Sequence, residues 1–294
     1  MGYIPSGHPK RSMNTRTGET APVVVKIGGA RAVEPEGALA DIATLHEDGE
    51  RIAVVHGGST AVDTLLERLG IEPEYVETPS GVAGRFTDEE TMDAFTMAMA
   101  GQVNTDLVAG LQGQGVNAVG LSGVDGRLLS GPRKSAVRVL EDGKKKIKRG
   151  DHSGKIKSVN ADLLETLFDG DYVPVAGPPM LAAEENIPVN ADADRAAAAV
   201  AGALGARLVV LTDVSGVFAD PDDPDTLIED VDSPDALSRA EDAAEGFMTK
   251  KVMAAVEALE GGATSVVVAN ANAENPIRSA LQGSGTRFTP EAVQ

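Results

Sequence analysis

Short runs of β-branched residues alternate with longer segments of helical periodicity along most of the chain. Residues 21–30 (APVVVKIGGA) predict a buried strand that ends in a glycine loop, and residues 35–49 have the apolar spacing of a helix. Residues 51–70 repeat the order of strand, glycine pair and helix. Strands that alternate with helices form βαβ units, so the pattern predicts an α/β fold with a mainly parallel sheet.

The same two patterns continue towards the C-terminus. Further strands are predicted at residues 117–123, 137–143, 145–151, 154–160, 171–179, 207–216 and 264–271. Further helices are predicted at residues 88–114, 160–170, 192–206 and 249–262. We expect two lobes that share one sheet, residues 22–185 and 186–294. A flexible leader is expected at residues 1–21, with Met13 as an alternative start.

Residues 136–160 depart from this rhythm and predict an inserted β-hairpin, because short alternating strands are broken there by Asp-Gly and Ser-Gly pairs. Between residues 144 and 157, six lysines and one arginine face a single aspartate, in a chain whose net charge is −19. This basic hairpin is either a docking surface for an acidic macromolecule or a solvated turn that keeps itself soluble. Its cations are Lys144, Lys145, Lys146, Lys148, Arg149, Lys155 and Lys157.

Composition narrows the classes of function. The acidic surplus repels nucleic acid and anionic lipid, so neither is expected as a partner. The sequence has no apolar run long enough to cross a membrane and no secretory leader, which favours a cytoplasmic protein. It has no cysteine and only four scattered histidines, so no protein metal site is predicted. The acid excess and low aromatic content also resemble those of proteins adapted to high salt.

Two glycine pairs follow the first two strands and are the candidate phosphate-binding device. Gly28 and Gly29 follow Lys26, and Gly57 and Gly58 precede a helix. Glycine lets backbone N–H groups approach an anion, and a helix N-terminus adds partial positive charge. Such turns, with Lys26 as a point charge, suit a phosphoryl group. The alternative is that each pair only makes a tight strand-to-helix turn.

Three further segments carry candidate chemistry. A strand-like run ends at Asn190, and Asp194 is expected to cap the helix that follows it and to orient cations. Lys250 and Lys251 are expected to open another helix, where a lysine is unfavourable unless an anion lies nearby. The predicted strand at 207–216 has polar residues at its carboxyl end, where open α/β sheets bind ligands.

Several motifs occur in one order over about residues 22–288 and together resemble the amino acid kinase family, closest to its acetylglutamate kinase branch. The segments are VVVKIGGA, VVHGGSTAVD, GVAGRFTDEE, NADADRAA, LTDVSGV and GFMTKKVMAAVEAL. The resemblance implies a three-layer αβα sandwich of the carbamate kinase-like type. Within the branch, the inserted hairpin resembles that of kinases whose substrate is tethered to an acidic carrier protein.

The resemblance also implies roles for individual residues. Lys26 and Lys251 would neutralise the transferring phosphoryl group, with Asp194 holding both lysines and Lys250 as the rival of Lys251. Substrate-binding residues would be Gly57, Gly58, Arg85 and Asn190. ATP-binding residues would be Gly28, Gly29, Thr212, Asp213 and Gly216. An arginine fits a carboxylate independently, because its guanidinium binds carboxylates through two parallel hydrogen bonds.

The implied activity is ATP-dependent phosphorylation of a side-chain carboxylate, with Mg²⁺ accompanying ATP. The implied substrate is glutamate or 2-aminoadipate attached to an acidic amino-group carrier protein, in arginine or lysine biosynthesis, and the implied assembly is a homodimer or higher homo-oligomer. Because a carboxylate is already ionised at neutral pH, the reaction needs no general base. Two alternatives stay open: a kinase of free N-acetylglutamate, and a catalytically silent regulatory or binding protein of this fold.

Overall fold

The computed structural model describes residues 20–28, 35–79, 83–141 and 144–294. Its strands are β1 (Val23–Ile27), β2 (Ile52–His56), β3 (Tyr75–Glu77), β4 (Ala83–Arg85), β5 (Ala118–Gly123), β6 (Leu129–Gly131), β7 (Arg133–Glu141), β8 (Lys144–Gly154), β9 (Ser158–Val159), β10 (Val173–Ala182), β11 (Ile187–Val189), β12 (Arg207–Thr212), β13 (Asp230–Val231), β14 (Ser265–Asn270) and β15 (Thr286–Phe288). Its α-helices are α1 (Glu36–Glu47), α2 (Ser59–Leu69), α3 (Glu89–Thr96), α4 (Asn104–Gly113), α5 (Ala161–Asp169), α6 (Ala193–Leu204), α7 (Pro234–Ala243), α8 (Phe247–Glu260) and α9 (Pro276–Leu281). Almost all of the predicted leader lies outside these described residues.

A central sheet of eleven strands runs through the described part of the chain. Its path is β13-β15-β14-β12-β1-β2-β10-β6-β9, and β5 and β11 also pair with β10. The pairs from β14 to β10 are all parallel, and antiparallel pairs occur towards the periphery. The alternation of strand and helix in the sequence therefore predicted the character of the sheet correctly.

Side chains of the inner strands alternate between two cores, one on each face of the sheet. Val24 of β1 packs in a core with α6 and α8, whereas Val23 and Val25 pack in a second core with α1, α4 and α9. Helices therefore cover both faces, which makes a three-layer αβα arrangement. Because Lys26 follows Val25, the alternation turns its side chain towards the layer of α6 and α8.

Helices α6 and α8 approach each other closely because small residues line their contact. Seven of the twelve residues of α6 are alanine, and a β-carbon on Gly202 would lie 2.9 Å from the backbone of Gly261, just beyond α8. Helix α8 begins at Phe247, two residues before the predicted start, so Lys251 lies in its second turn.

The long helix predicted at residues 88–114 is interrupted by a π-helical segment. Asp88 caps α3 by accepting a hydrogen bond from the amide of Thr91, and Met97–Val103 then has π-helical geometry before α4 continues. Such segments add one residue to a turn. Met99 and Val103 of this segment pack against Gly58, at the start of α2.

The inserted hairpin consists of β7 and β8, which form a two-stranded sheet of their own. It covers residues 133–154 rather than the predicted 136–160. The predicted strand at 154–160 is reduced to β9, which pairs with β6 at the edge of the central sheet. Lys155 and Lys157 therefore lie beyond the hairpin, in the connection that follows it.

Candidate active site

Three charged side chains from three different elements meet between the sheet and the α6–α8 layer. Lys26 Nζ of β1 lies 2.7 Å from Asp194 Oδ1, and Lys251 Nζ of α8 lies 3.5 Å from Asp194 Oδ2. Their exposed fractions are 5%, 9% and 9% for Lys26, Asp194 and Lys251. Two cations thus share one carboxylate, and the buried cluster keeps one positive charge that suits an anionic ligand.

The cluster changes the proton affinity of two of its members. Burial acts to raise the pKa of Asp194, but the charges of Lys26 and Lys251 outweigh it, so the pKa lies below its ordinary value. Burial and the charge of Lys26 lower the pKa of Lys251, although Asp194 opposes them. Among the described residues, Oδ1 of Asp194 has no well-aligned hydrogen-bond donor despite its ion pair with Lys26.

The residue that caps α6 is Asp192, which corrects the prediction for Asp194. The side chain of Asp192 accepts a hydrogen bond of 3.1 Å from the amide of Arg195. Asp194 lies inside the first turn, and its carboxylate is turned to the two lysines instead. The sequence contains Asn190, Asp192 and Asp194 in quick succession, so it did not indicate which side chain would serve as the cap.

The two predicted glycine turns lie side by side, because the amide of Gly57 donates a hydrogen bond of 3.0 Å to the carbonyl of Ile27. This contact corrects the expectation that the Gly57 amide faces a phosphoryl group. Gly58 starts α2, and no side chain of the described residues caps that helix. The first amides of α2 therefore suit an anion. Gly28 follows β1 directly, and Gly29 lies outside the described residues.

His56 and Asn104 support the second glycine turn, and sequence reasoning did not assign them a role. The side-chain amide of Asn104 lies 3.0 Å from His56 Nε2 and donates a 2.8 Å hydrogen bond to the carbonyl of Val175. Nε2 then accepts, so Nδ1 carries the proton and lies 3.2 Å from the Gly57 carbonyl. Burial lowers the pKa of His56 to about 4, which keeps the ring neutral.

Arg85, the predicted carboxylate-binding residue, lies at the end of β4 with partners on α2 and β3. Its Nη2 lies 2.6 Å from Asp63 Oδ1 and donates hydrogen bonds of 3.0 Å to the Ser59 carbonyl and the Tyr75 hydroxyl. Its Nε is buried and has no hydrogen-bond partner among the described residues. The guanidinium therefore combines a fixed orientation with an unused donor. Its role in substrate binding stays a prediction.

Asn190 lies at the base of the hairpin, in contact with Thr87. Its side-chain amide donates a hydrogen bond of 2.9 Å to the Thr87 hydroxyl, and its backbone N–H donates to the carbonyl of His152. The Thr87 amide in turn lies 3.3 Å from the buried carboxylate of Asp151 in β8. The hairpin base and two predicted substrate residues, Arg85 and Asn190, are therefore joined by a short hydrogen-bonded stretch of chain.

The predicted ATP loop follows β12. The Thr212 hydroxyl donates a 3.1 Å hydrogen bond to the exposed carboxylate of Asp213, at the carboxyl end of the parallel sheet. Gly216 packs against Thr286 of β15, where a β-carbon would lie 2.5 Å from the threonine hydroxyl. The structure thus places these residues at an edge where open α/β sheets bind ligands.

The predicted docking cations divide into three groups. Lys144, Lys145, Lys146 and Arg149 are exposed on β8. Lys148 instead turns towards the body of the protein, where it pairs with Glu74 and lies 4.3 Å from the centre of the Phe86 ring. Lys155 and Lys157 are exposed beyond the hairpin.

The described residues contain no group of three or more histidine, cysteine or acidic side chains arranged to hold a metal ion. In the same part of the chain, every helix is too short or too polar to span a lipid bilayer.

Comparison with known proteins identifies the family. The family model described as "Amino acid kinase family" matches residues 21–270. The chain belongs to the amino acid kinase family. That assignment confirms the resemblance drawn from the ordered motifs. The enzyme class of the chain is therefore that of the ATP-dependent kinases.

Two curated relatives match over most of their length. A protein of Thermus thermophilus named "[LysW]-aminoadipate kinase" is 43% identical over 270 residues, which cover 90% of this chain and 98% of that protein. A Methanopyrus kandleri protein named "Acetylglutamate kinase" is 42% identical over 266 residues, with 90% and 98% covered.

Two solved structures share the fold. An N-acetylglutamate synthase of Neisseria gonorrhoeae, complexed with coenzyme A and N-acetyl-glutamate, matches at 27% identity with a TM-score of 0.68. That match covers 92% of this chain, but the chain spans only 59% of the synthase. Giardia carbamate kinase matches at 16% identity with a TM-score of 0.64, covering 92% of this chain and 98% of that one. The predicted carbamate kinase-like fold is confirmed.

Proposed function

We propose that this chain transfers the γ-phosphoryl group of ATP to the side-chain carboxylate of glutamate or 2-aminoadipate attached to an acidic amino-group carrier protein. The observation that carries the proposal is the buried cluster of Lys26, Asp194 and Lys251. Two lysines held by one carboxylate form a preorganised cationic site that complements a phosphoryl group as it passes between two oxygens. The product would serve arginine or lysine biosynthesis.

The chemistry requires positioning more than proton transfer. An oxygen of the substrate carboxylate attacks the γ-phosphorus, the bond from that phosphorus to the bridging oxygen breaks, and ADP leaves with the electron pair. The product is an acyl phosphate. Because no proton moves, the site needs no histidine, cysteine or serine in contact with the substrate. Lys26 and Lys251 would offset the charge that builds on the oxygens during transfer.

Surrounding residues would hold the two substrates on either side of the cluster. Gly28, Gly29 and Gly58 would offer backbone amides to the phosphoryl group, and Arg85 and Asn190 would bind the amino-acid part of the acceptor. Thr212, Asp213 and Gly216 would belong to the ATP site. Mg²⁺ would arrive with ATP and be held chiefly by phosphate oxygens and water, which suits its preference for retaining hydration.

We assign the two parts of the reaction to the two predicted lobes. Residues 22–185 would bind the acceptor and form the contact of a homodimer or higher homo-oligomer, and residues 186–294 would bind ATP. Strand β1 of the first range pairs with β12 of the second, so Lys26 stands at the boundary between the two ranges. The phosphoryl group would therefore pass at this boundary.

The carrier-bound acceptor is favoured over a free one by the basic hairpin. A free amino acid is too small to contact several cations, whereas an acidic carrier protein presents a matching surface that would also speed association. The name of the Thermus thermophilus relative supports this choice. The name of the Methanopyrus kandleri relative supports the second candidate, a kinase of free N-acetylglutamate.

The site of phosphorylation tests the proposal. Wild-type protein, ATP and Mg²⁺ would be incubated with carrier-bound glutamate, carrier-bound 2-aminoadipate or free N-acetylglutamate, and hydroxylamine would trap any acyl phosphate as a hydroxamate. We expect the trapped product on a carrier-bound side chain, detected by intact and fragment mass. Hydroxamate formed only from free N-acetylglutamate would establish the second candidate. Absence of any hydroxamate, with ATP left intact, would favour a silent protein.

A further inference from the structure

The basic hairpin has two chemically different faces, as the register of its strands shows. The register pairs Ala136 with Arg149, Arg138 with Ile147, and Leu140 with Lys145, and paired residues of an antiparallel ribbon point to the same side. We call this the outer face: Arg138, Leu140, Lys145, Ile147 and Arg149. The intervening pairs, Val137 with Lys148 and Val139 with Lys146, form the inner face.

Burial distinguishes the two faces, except that Lys146 of the inner face is exposed. Val139 of the inner face is only 1% exposed, and Lys148 is partly buried by its contacts with Glu74 and Phe86. All five residues of the outer face are exposed. The inner face therefore holds the hairpin against β3 and the residues after β4. Its base is also fixed, because the backbone N–H of His152 donates a 2.7 Å hydrogen bond to the Thr87 carbonyl. The outer face is consequently presented in a set orientation.

The outer face combines three cations with two large apolar side chains. Ile147 is 65% exposed and Leu140 is 37% exposed. Arg138 stands opposite Ile147, and Lys145 stands opposite Leu140, so each apolar side chain has a cation beside it. None of the three cations has an ion-pair partner within the described residues. An exposed isoleucine on a solvated turn gains nothing for folding, whereas apolar anchors ringed by charge are typical of binding surfaces.

We propose that the outer face is the docking surface for an acidic partner protein whose contact area has an apolar centre and a carboxylate rim. Arg138, Lys145 and Arg149 would pair with the carboxylates, while Leu140 and Ile147 would pack on the centre. Lys148 would hold the hairpin in place rather than bind the partner. The identity of the partner, the loaded amino-group carrier protein, rests on the proposed function.

The three cations of the outer face favour an acidic protein as the occupant, because each can pair with a carboxylate, and a second copy of the chain is the alternative that sedimentation of the variants tests. The apolar pair, Leu140 and Ile147, adds binding affinity that does not depend on charge. In 1 M salt the Debye length falls to ~3 Å, so steering by the cations weakens, while apolar contact persists. Leu140 and Ile147 would then account for a growing share of the affinity as salt rises.

Matched double variants test the two faces. Arg138→Gln with Lys145→Gln removes two outer cations, Lys144→Gln with Lys146→Gln removes two cations from positions that alternate with them, and Leu140→Ser with Ile147→Ser removes the apolar pair. Binding of glutamate-loaded carrier protein to each full-length variant would be measured by calorimetry, and its turnover by ATP consumption. All six substituted positions are exposed, and unfolding temperatures equal to that of the wild type would verify that each variant folds.

We expect the outer charge variant to weaken carrier binding by about tenfold and to raise KM without lowering kcat. The apolar variant should weaken binding by roughly tenfold. The fraction of the binding affinity lost in this variant should grow in high salt. The inner-position variant should change binding about twofold at most. Equal losses in both charge variants, or no loss in the outer ones, would overturn the proposal. So would a change in the oligomer measured by sedimentation with unchanged carrier binding.

These readouts separate the proposal from the proposed function. If wild-type protein binds the loaded carrier through the outer face but does not phosphorylate it, the proposed reaction is wrong and the docking surface is retained. If the carrier-bound side chain is phosphorylated equally well by wild type and by the outer-face variants, the reaction is retained and the docking surface is wrong.

Discussion

Lys26 Nζ lies 2.7 Å from Asp194 Oδ1, at the boundary between the sheet and the small-residue helix α6. The second oxygen of the same carboxylate holds Lys251 at 3.5 Å. Asp194 therefore fixes the spacing of two cations that would repel each other without it.

Replacing Asp194 by Asn should reduce kcat by about 10²–10³-fold, because two buried lysines lose the charge that holds them in position. The free energy of unfolding should also fall, by about 3–5 kcal/mol, since two buried cations are left together. Both quantities would be measured by steady-state turnover and urea unfolding. Asp192→Asn is the matched control, because asparagine caps a helix as well as aspartate. Equal losses in both variants would show that negative charge near the lysines, and not the carboxylate they share, explains the result.

The pH dependence of kcat/KM should report the lowered pKa of Lys251. Its pKa lies below the ordinary value of a lysine, so the free enzyme loses this charge, and with it activity, at a lower pH than an unperturbed lysine would allow. Lys251→Arg keeps the charge and should move the alkaline limb upwards, even if the rate at neutral pH falls. An alkaline limb that does not move in Lys251→Arg would contradict this assignment.

Protonation of His56 should destabilise the fold in mild acid. The pKa of His56 is lowered from 6.5 to about 4, so the unfolded state binds more protons between these values. Stability from this residue is then fully present above pH 6.5 and is lost as pH falls through 4, by about 3 kcal/mol in total. Urea unfolding from pH 4 to 7.5 would measure it. In the His56→Asn variant, the free energy of unfolding should depend less steeply on pH over this range. An unchanged pH dependence would rule out His56 as its source.

A side chain at Gly58 should disturb both packing and phosphoryl contact. A β-carbon there would lie 2.6 Å from the sulfur of Met99, which is only 2% exposed. Gly58→Ala should therefore cost about 1–3 kcal/mol of stability. Adding Met99→Ala should relieve the clash. If Gly58 acts only through packing, the double variant regains activity along with stability. If the phosphoryl group also needs the open approach that glycine leaves, the remaining β-carbon keeps KM for ATP raised.

The parts of the fold that were predictable carry their signal in local pattern. The β-branched runs of β1 and β2 and the alanine-rich run of α6 belong to elements whose type follows from their own residues. The π-helical segment Met97–Val103 does not, because the chain there reads as continuous helix and only packing beneath α2 distinguishes it. The ordered motifs likewise predicted the family, which the matched family model confirms.

The predicted site residues differ in how far the structure brings them together. Lys26, Asp194 and Lys251 meet, although their roles in catalysis stay predictions. The partner of Arg85 could not be foreseen, because Asp63 lies 22 positions away on another element. The tertiary support of His56 by Asn104 left no local pattern either. The glycine motifs predicted the turns but not their hydrogen bonds. The hydrogen bond from the Gly57 amide to the Ile27 carbonyl is seen only in the structure.

Adaptation of the protein to high salt stays a prediction, and so does the homodimer. Both would affect the basic hairpin. Salt screens its cations, and the number of subunits in an assembly sets how many hairpins are available to one carrier protein. Neither affects the arrangement of the buried cluster.

The most direct measurement is the ratio of kcat/KM for carrier-bound glutamate or 2-aminoadipate to that for free N-acetylglutamate, with the same wild-type protein, ATP and salt. We expect a ratio of at least about 10³, because the tethered substrate gains the docking contacts and the association rate that a free acid lacks. A ratio near one, or one in favour of free N-acetylglutamate, would contradict the carrier-dependent reaction and leave the basic hairpin without a part in it.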